Sequence, residues 1–165
     1  MLERLLPAAE LEGKTILIYR DGQFYGREAE YLLKRGDAIK AKLILVECRK
    51  SGVPRLYNSK QKVLQTPELG LALRLSSREA IVVTTKVSDS VGLARPLRLT
   101  VLEQGYPAEI EKVVETTLKL TLLHHGALQI PRLPMPLFSA DRIAELRLKG
   151  INPTSTLMRD RQFWL

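Results

Sequence analysis

The chain has 165 residues, enough for one domain with its own core, and 45% hydrophobic against 27% charged residues argues against a disordered polymer. Its 26 Lys and Arg against 18 Asp and Glu give a net charge of +8 and a pI near 9.8, which favours a polyanionic partner over an acidic substrate or a neutral ligand. A single cysteine, Cys48, excludes an internal disulfide and a cysteine-rich zinc site; no stretch has the length of a membrane span or the form of a signal peptide, so a soluble cytoplasmic protein is expected.

The charge is uneven. Between Lys40 and Lys62 stand Lys40, Lys42, Arg49, Lys50, Arg55, Lys60 and Lys62 against Glu47 alone, a local excess of six. Such a run is either a solvated face or a binding surface.

In chain order, Met1 to Gly13 carries Leu2, Leu5, Leu6 and Leu11 with Pro7 interrupting, and predicts a short helix or an arm lying on the body. Lys14 to Tyr19 is an apolar run that predicts a buried strand, and Arg20-Asp21-Gly22 turns the chain immediately after it. Asp21 therefore stands at a strand's carboxyl end, where ligands collect in open α/β sheets, although an Asp-Gly pair there is also ordinary turn chemistry. Phe24 to Arg35 predicts a helix with Gly36 as its terminating glycine, and Ile39 to Cys48 a second strand with Leu43, Leu45 and Val46 inward and Cys48 as a small buried residue. Strand, helix, strand in this order predicts a parallel crossover.

Arg49-Lys50-Ser51-Gly52 follows, then Val53 to Tyr57. Two cations, a hydroxyl and a glycine on a turn suit phosphate oxygens; a hairpin with a charged rim is the alternative. Leu71 to Leu75, Ala80 to Val87 and Leu97 to Leu102 predict antiparallel strands, with Ser88-Asp89-Ser90 as loop chemistry. Ala108 to His124 predicts a helix buried through Ile110, Val113, Val114, Leu118 and Leu122; His124 and His125, about 100° apart and without a third ligand, are read as cations at its end. Ile130 to Pro136 predicts an extended, proline-fixed segment. Ser139 predicts an N-cap, with Asp141 in the first turn of a helix that Glu145 shares and Gly150 ends. The apolar tail to Leu165 predicts a docked terminus.

Taken together, the runs ILIYRDGQF, AKLILVECRKSGVPRLYN, SSREAIVVTTKVSDSVGLARPLRLTV and ALQIPRLPMPLFSADRIAELRLKGI, with their RDG, RKSG, PLR, PRLP and ADR motifs in this order, resemble the second half of the PIWI domain of prokaryotic Argonautes. The resemblance implies an α/β fold, part of a ribonuclease H-like domain with a mixed sheet and flanking helices. Residues 1–13 would be an amino-terminal arm and residues 14–165 the carboxyl-terminal part of that domain. It implies that Asp21 and Asp141 serve as catalytic carboxylates holding Mg2+ or Mn2+ in the complete protein. Arg49, Lys50, Ser51, Arg55, Arg95, Arg98 and Arg132 would touch guide or target nucleic acid, RNA or DNA, with Lys86 aligned beside them; as bare residues, Lys86, Arg95 and Arg98 are equally sheet-surface cations. The terminal carboxylate of Leu165 would help hold a metal at the guide's 5′ phosphate, beside a MID domain of the same polypeptide.

The family's first aspartate and mobile glutamate precede the RDG motif, and Glu3, Glu10 and Glu12 lie too close before the strand to replace them. The chain alone is therefore expected not to cleave, although the parent protein would. Two other readings stand beside this one: a module that holds a guide and target duplex without cutting, and an unrelated basic RNA-binding protein.

Overall fold

Aliphatic side chains on alternate residues drive the first two strands together, and their parity sorts the molecule into layers. In the computed structural model, which describes residues 7–60, 63–87, 92–93, 95–124 and 131–151, β1 (Thr15–Asp21) and β2 (Lys42–Arg49) pair in parallel, Asp21 opposite Cys48. The crossover between them is helix α2 (Glu28–Ala38), preceded by the short helix α1 (Ala8–Leu11). Beyond β2 the sheet continues antiparallel through β7 (Leu97–Val101), β6 (Glu79–Val82) and β5 (Ala72–Arg74), giving the order β1-β2-β7-β6-β5. The fold is thus mixed α/β, as expected.

One face of β2 sends Leu43 and Leu45 into a cluster with Ile39, Ala41, Ile16, Ile18, Phe24 and the Leu32-Leu33 pair of α2. The other sends Val46 and Cys48 into a larger cluster with Val82, Leu97, Leu99, Ile110 and Val113. Helices α3 (Ile110–Leu122) and α4 (Met135–Leu148) cover that second face, through Ile110 and Val113 of α3 and Leu137 of α4. Tyr19 ties β1 to α3: its hydroxyl lies 2.8 Å from Thr117 Oγ1, and burial raises its pKa to about 12 although the Thr117 bond opposes this. Among the described residues, no helix is long and apolar enough to cross a membrane.

Several boundaries differ from those expected. Helix α2 starts at Glu28 because the residues before it have other work: Phe24 packs into the core and its backbone N–H donates to Glu47 Oε1 at 3.0 Å. It also runs past Gly36, which is no terminator. Gly36 is buried inside the helix, where a Cβ would stand 2.7 Å from Leu43 Cγ, so the residue is needed for the close approach of helix and strand. Lys40, at φ 53°, takes the left-handed position instead, with Ala41 N–H donating to Gly36 O at 2.9 Å.

Helix α4 starts four residues before the expected N-cap. Pro134 is the N-cap and Pro136 lies in the first turn, where a missing N–H costs nothing, so the extended segment stops short of Met135. Ser139 instead donates its hydroxyl to Met135 Sδ within the helix. Gly150 does end it, at φ 79°, with Ile151 N–H on Leu146 O.

The antiparallel strands are shorter than their apolar runs, and the two-stranded hairpin of β3 (Asn58–Lys60) and β4 (Val63–Gln65) was not anticipated. His124, just past the end of α3, packs its ring edge-on to Phe138, 4.5 Å between centroids. The segments around Ser88-Asp89-Ser90 and His125, and the tail ending in Leu165, lie outside the described residues.

Candidate functional site

Strand parity fixes the first acid. Leu17 and Tyr19 face the α3 and α4 side of the sheet, and Asp21, two residues on, follows them to the carboxyl end of β1. Gly22 then turns away at φ 80°, its N–H donating to Cys48 O at 3.0 Å. This locks the end of β1 to the end of β2. In the same way Val46 and Cys48 point to that side, and Lys50 emerges just beyond the end of β2.

The second acid comes from α4. Leu137 is buried against the sheet, and Asp141, one turn on along the same stripe, lies over the sheet's carboxyl edge. Asp21 Oδ2 lies 2.7 Å and Asp141 Oδ2 3.4 Å from the same atom, Lys50 Nζ. All three side chains keep solvent access, 31%, 52% and 34% for Asp21, Asp141 and Lys50. Desolvation opposes the Lys50 charge, but the hydrogen bond and charge of Asp21, joined by Asp141, outweigh it and raise its pKa.

Because α4 begins at Met135, Asp141 sits in its second turn. The helix dipole acts over the first turn, so compensation of that dipole is a poor account of this residue.

Other sequence candidates divide into two groups. Ser51, Arg55 and Arg95 are exposed, as is Lys86. Arg49, Arg98 and Arg132 are engaged within the protein. Arg49 pairs with Glu47 at 3.1 Å, and Arg98 Nε donates to Glu79 Oε1 at 2.6 Å. Arg132 Nη2 donates to two backbone carbonyls, Lys50 O at 2.5 Å and Pro96 O at 2.7 Å, and burial lowers its pKa. Arg132 is itself held by the fully buried Thr84, whose hydroxyl donates to Arg132 O at 2.6 Å.

Thr84 and Glu47 were not singled out from sequence. Glu47 fastens the loop after Asp21 through Phe24 N–H, and Thr84 sets the segment that fixes Lys50. A lone acid inside the LILVECR run was the available signal for Glu47. Thr84, one of several threonines in a strand-like run, carried none.

A shallow cleft of about 490 Å3 opens at Asp21, lined also by Gly22, Gln23, Tyr25, Arg49, Lys50 and Ser51. Its walls offer carboxylate and cation together, the pairing needed to hold a metal-bound or backbone phosphate. The donor chemistry fits a hard divalent cation: carboxylate oxygens with open positions for water. The Lys50 ammonium occupies the point where both acids converge. Among the described residues no group of three or more His, Cys, Asp or Glu is placed to hold a metal ion.

No family model matches the chain. It is 27% identical over 154 residues to Protein argonaute of Aquifex aeolicus, covering 93% of this chain and 20% of the relative. The crystal structure of Aa-Ago with externally bound siRNA aligns with TM-score 0.75 and 26% identity, over 99% of this chain and 22% of that one. The structure of Clostridium butyricum Argonaute bound to a guide DNA and a 19-mer target DNA aligns with TM-score 0.68 and 25% identity, over 80% and 17% respectively. The chain thus spans about a fifth of the length of the relatives it matches.

Proposed function

We propose, from the premise that this chain is homologous to a segment of prokaryotic Argonaute, that it binds the backbone of a guide and target duplex. On this reading it also contributes Asp21 and Asp141 to a divalent-metal site for cleaving the target strand. The observation that carries this is the convergence of those carboxylates, from a strand end and a helix, on one cation beside a cleft with a basic rim. Mg2+ or Mn2+ bound there would activate water and stabilise the leaving oxygen.

The chain's own residues do the rest. Asp21 and Asp141 hold charge at a fixed point. Ser51, which lines the cleft, and the exposed Arg55 and Arg95 take backbone phosphates, giving affinity and salt dependence rather than base reading. Arg49, Arg98 and Arg132 support that surface from within, and their nucleic-acid role is indirect unless their internal partners let go. The parent polypeptide supplies the other ligands and a MID domain. The 165 residues alone do not cut.

The test uses a guide-loaded Argonaute carrying this chain. With Mn2+, Asp21→Ala or Asp141→Ala abolishes target cleavage while guide binding persists. Cleavage that survives either change removes that residue from the site. The second reading, a duplex-holding module that does not cut, is favoured by one observation: an ammonium already fills the space between the acids. It predicts no cleavage in the unaltered protein and the same duplex affinity with or without divalent metal.

A further inference from the structure

We infer that Lys50 is a built-in stand-in for the metal: its ammonium keeps Asp21 and Asp141 together while no divalent ion is bound, and competes with that ion for them. The inference rests on reading the two acids as metal ligands, and it assigns to Lys50 a role separate from contact with nucleic acid.

Two carboxylates brought to one point repel each other unless a cation lies between them. Lys50 Nζ supplies that cation, at 2.7 Å from Asp21 Oδ2 and 3.4 Å from Asp141 Oδ2. The backbone of Lys50 cannot drift, because Arg132 grips its carbonyl and that of Pro96, and Thr84 grips Arg132. The ammonium, however, sits on a flexible four-carbon stem and is one-third exposed, so it can leave while the backbone stays. A divalent ion needs the same oxygens at little more than 2 Å and cannot share the point with an ammonium. Metal binding therefore includes the displacement of Lys50, and apparent affinity falls by the strength of the ion pairs that this displacement breaks. For half-exposed ion pairs that strength is modest, so the competition tunes affinity rather than forbids binding.

The test is Mn2+ binding to the 165-residue chain at constant ionic strength, by isothermal titration and by the electron paramagnetic resonance of free Mn2+. Lys50→Met should bind Mn2+ on the order of tenfold more tightly than the unaltered chain. Lys50→Gln, with the same loss of charge, serves if the Met variant fails to fold by circular dichroism. Lys50→Arg should stay near the starting affinity. Lys119→Met, which removes a cation from the exposed face of α3, should change it by no more than about twofold. Adding Asp141→Asn to Lys50→Met should remove the gain.

Mn2+ affinity that is unchanged or weaker in Lys50→Met, while the unaltered chain binds, overturns the competition and leaves the two acids as ligands. A gain that survives Asp141→Asn overturns it as well. No Mn2+ binding by either chain overturns the competition, since the two acids then do not hold the ion by themselves, and leaves the metal reading to the cleavage test in the guide-loaded protein.

Discussion

Asp21 and Asp141, about 120 residues apart in sequence, reach the same Lys50 ammonium at 2.7 and 3.4 Å. Neither acid is buried, so the contacts that join them are solvent-screened. Each contributes at most about 1 kcal/mol to folding. Asp21→Asn and Asp141→Asn should therefore lower the unfolding free energy by less than about 1 kcal/mol, as read by urea titration. A larger loss would mean that these acids hold the fold rather than serve a site.

Gly36→Ala is expected to destabilise despite the better helix propensity of alanine. The added Cβ would meet Leu43 Cγ at 2.7 Å and Cδ1 at 2.9 Å and the Ala41 carbonyl oxygen at 3.2 Å, and Leu43 is itself buried in the core. Overpacking of this kind costs about 1–3 kcal/mol, and the propensity gain returns up to about 1. The net loss should appear as a lower urea midpoint with an unchanged slope. A rise in the midpoint would show that α2 and β2 can separate without cost.

These two sites show which parts of the molecule were legible in the sequence. The apolar runs at Ile16 and Leu43 disclosed β1 and β2, and because side chains alternate along a strand, the side on which Asp21 emerges follows from the core positions of Leu17 and Tyr19. Gly36 was misread because a glycine at the end of a helical pattern signals both termination and close packing, and only the position of Leu43 separates the two. Ser139 was misread as a cap because Pro134 and Pro136 looked like breakers, whereas proline in a first turn starts a helix. The meeting of Lys50 with both acids had no local signal at all: it depends on α4 crossing the edge of the sheet. The internal bonds of Arg132 were equally hidden, since a guanidinium bound to carbonyls reads in sequence as any basic residue.

Arg132→Met should destabilise more than a surface arginine would. The change strips the Lys50 and Pro96 carbonyls of their donor in a partly buried place, and it frees the backbone that carries Lys50. Leaving such acceptors unsatisfied costs about 1–3 kcal/mol. Both bonds come from the one terminal nitrogen, Nη2, and the lysine stem is shorter and lacks the planar group that fixes that nitrogen in place, so Arg132→Lys should recover less than half of the loss. Thermal and urea unfolding decide this, with Arg55→Met, an exposed cation, as the reference that changes by no more than about 0.5 kcal/mol.

Cys48 should be inert in the folded chain. Its side chain is fully buried, and burial, reinforced by the Asp21 charge, pushes the thiol pKa up to about 12, so almost no thiolate exists near neutral pH. Iodoacetamide at pH 8 should leave the native chain unmodified and label it fully in urea, as followed by mass spectrometry. Rapid labelling without denaturant would show that the end of β2 opens to solvent, and with it the edge on which Asp21 and Lys50 stand.

The Glu79 and Arg98 pair should set part of the acid limb of stability. Arg98 Nε at 2.6 Å holds the Glu79 carboxyl below its ordinary value, with a further bond from Thr100 Oγ1 at 3.1 Å. A group whose folded pKa is lowered stabilises the fold fully above its unfolded value, near 4.5, and loses that contribution as pH falls through the folded value. With less than a third of either side chain exposed, the contribution is about 1 kcal/mol after screening. Glu79→Gln should therefore lower stability at pH 7 and flatten its decline below pH about 4.5, so that the two urea-midpoint curves converge in acid. Parallel curves through that range would assign the acid limb to other carboxylates.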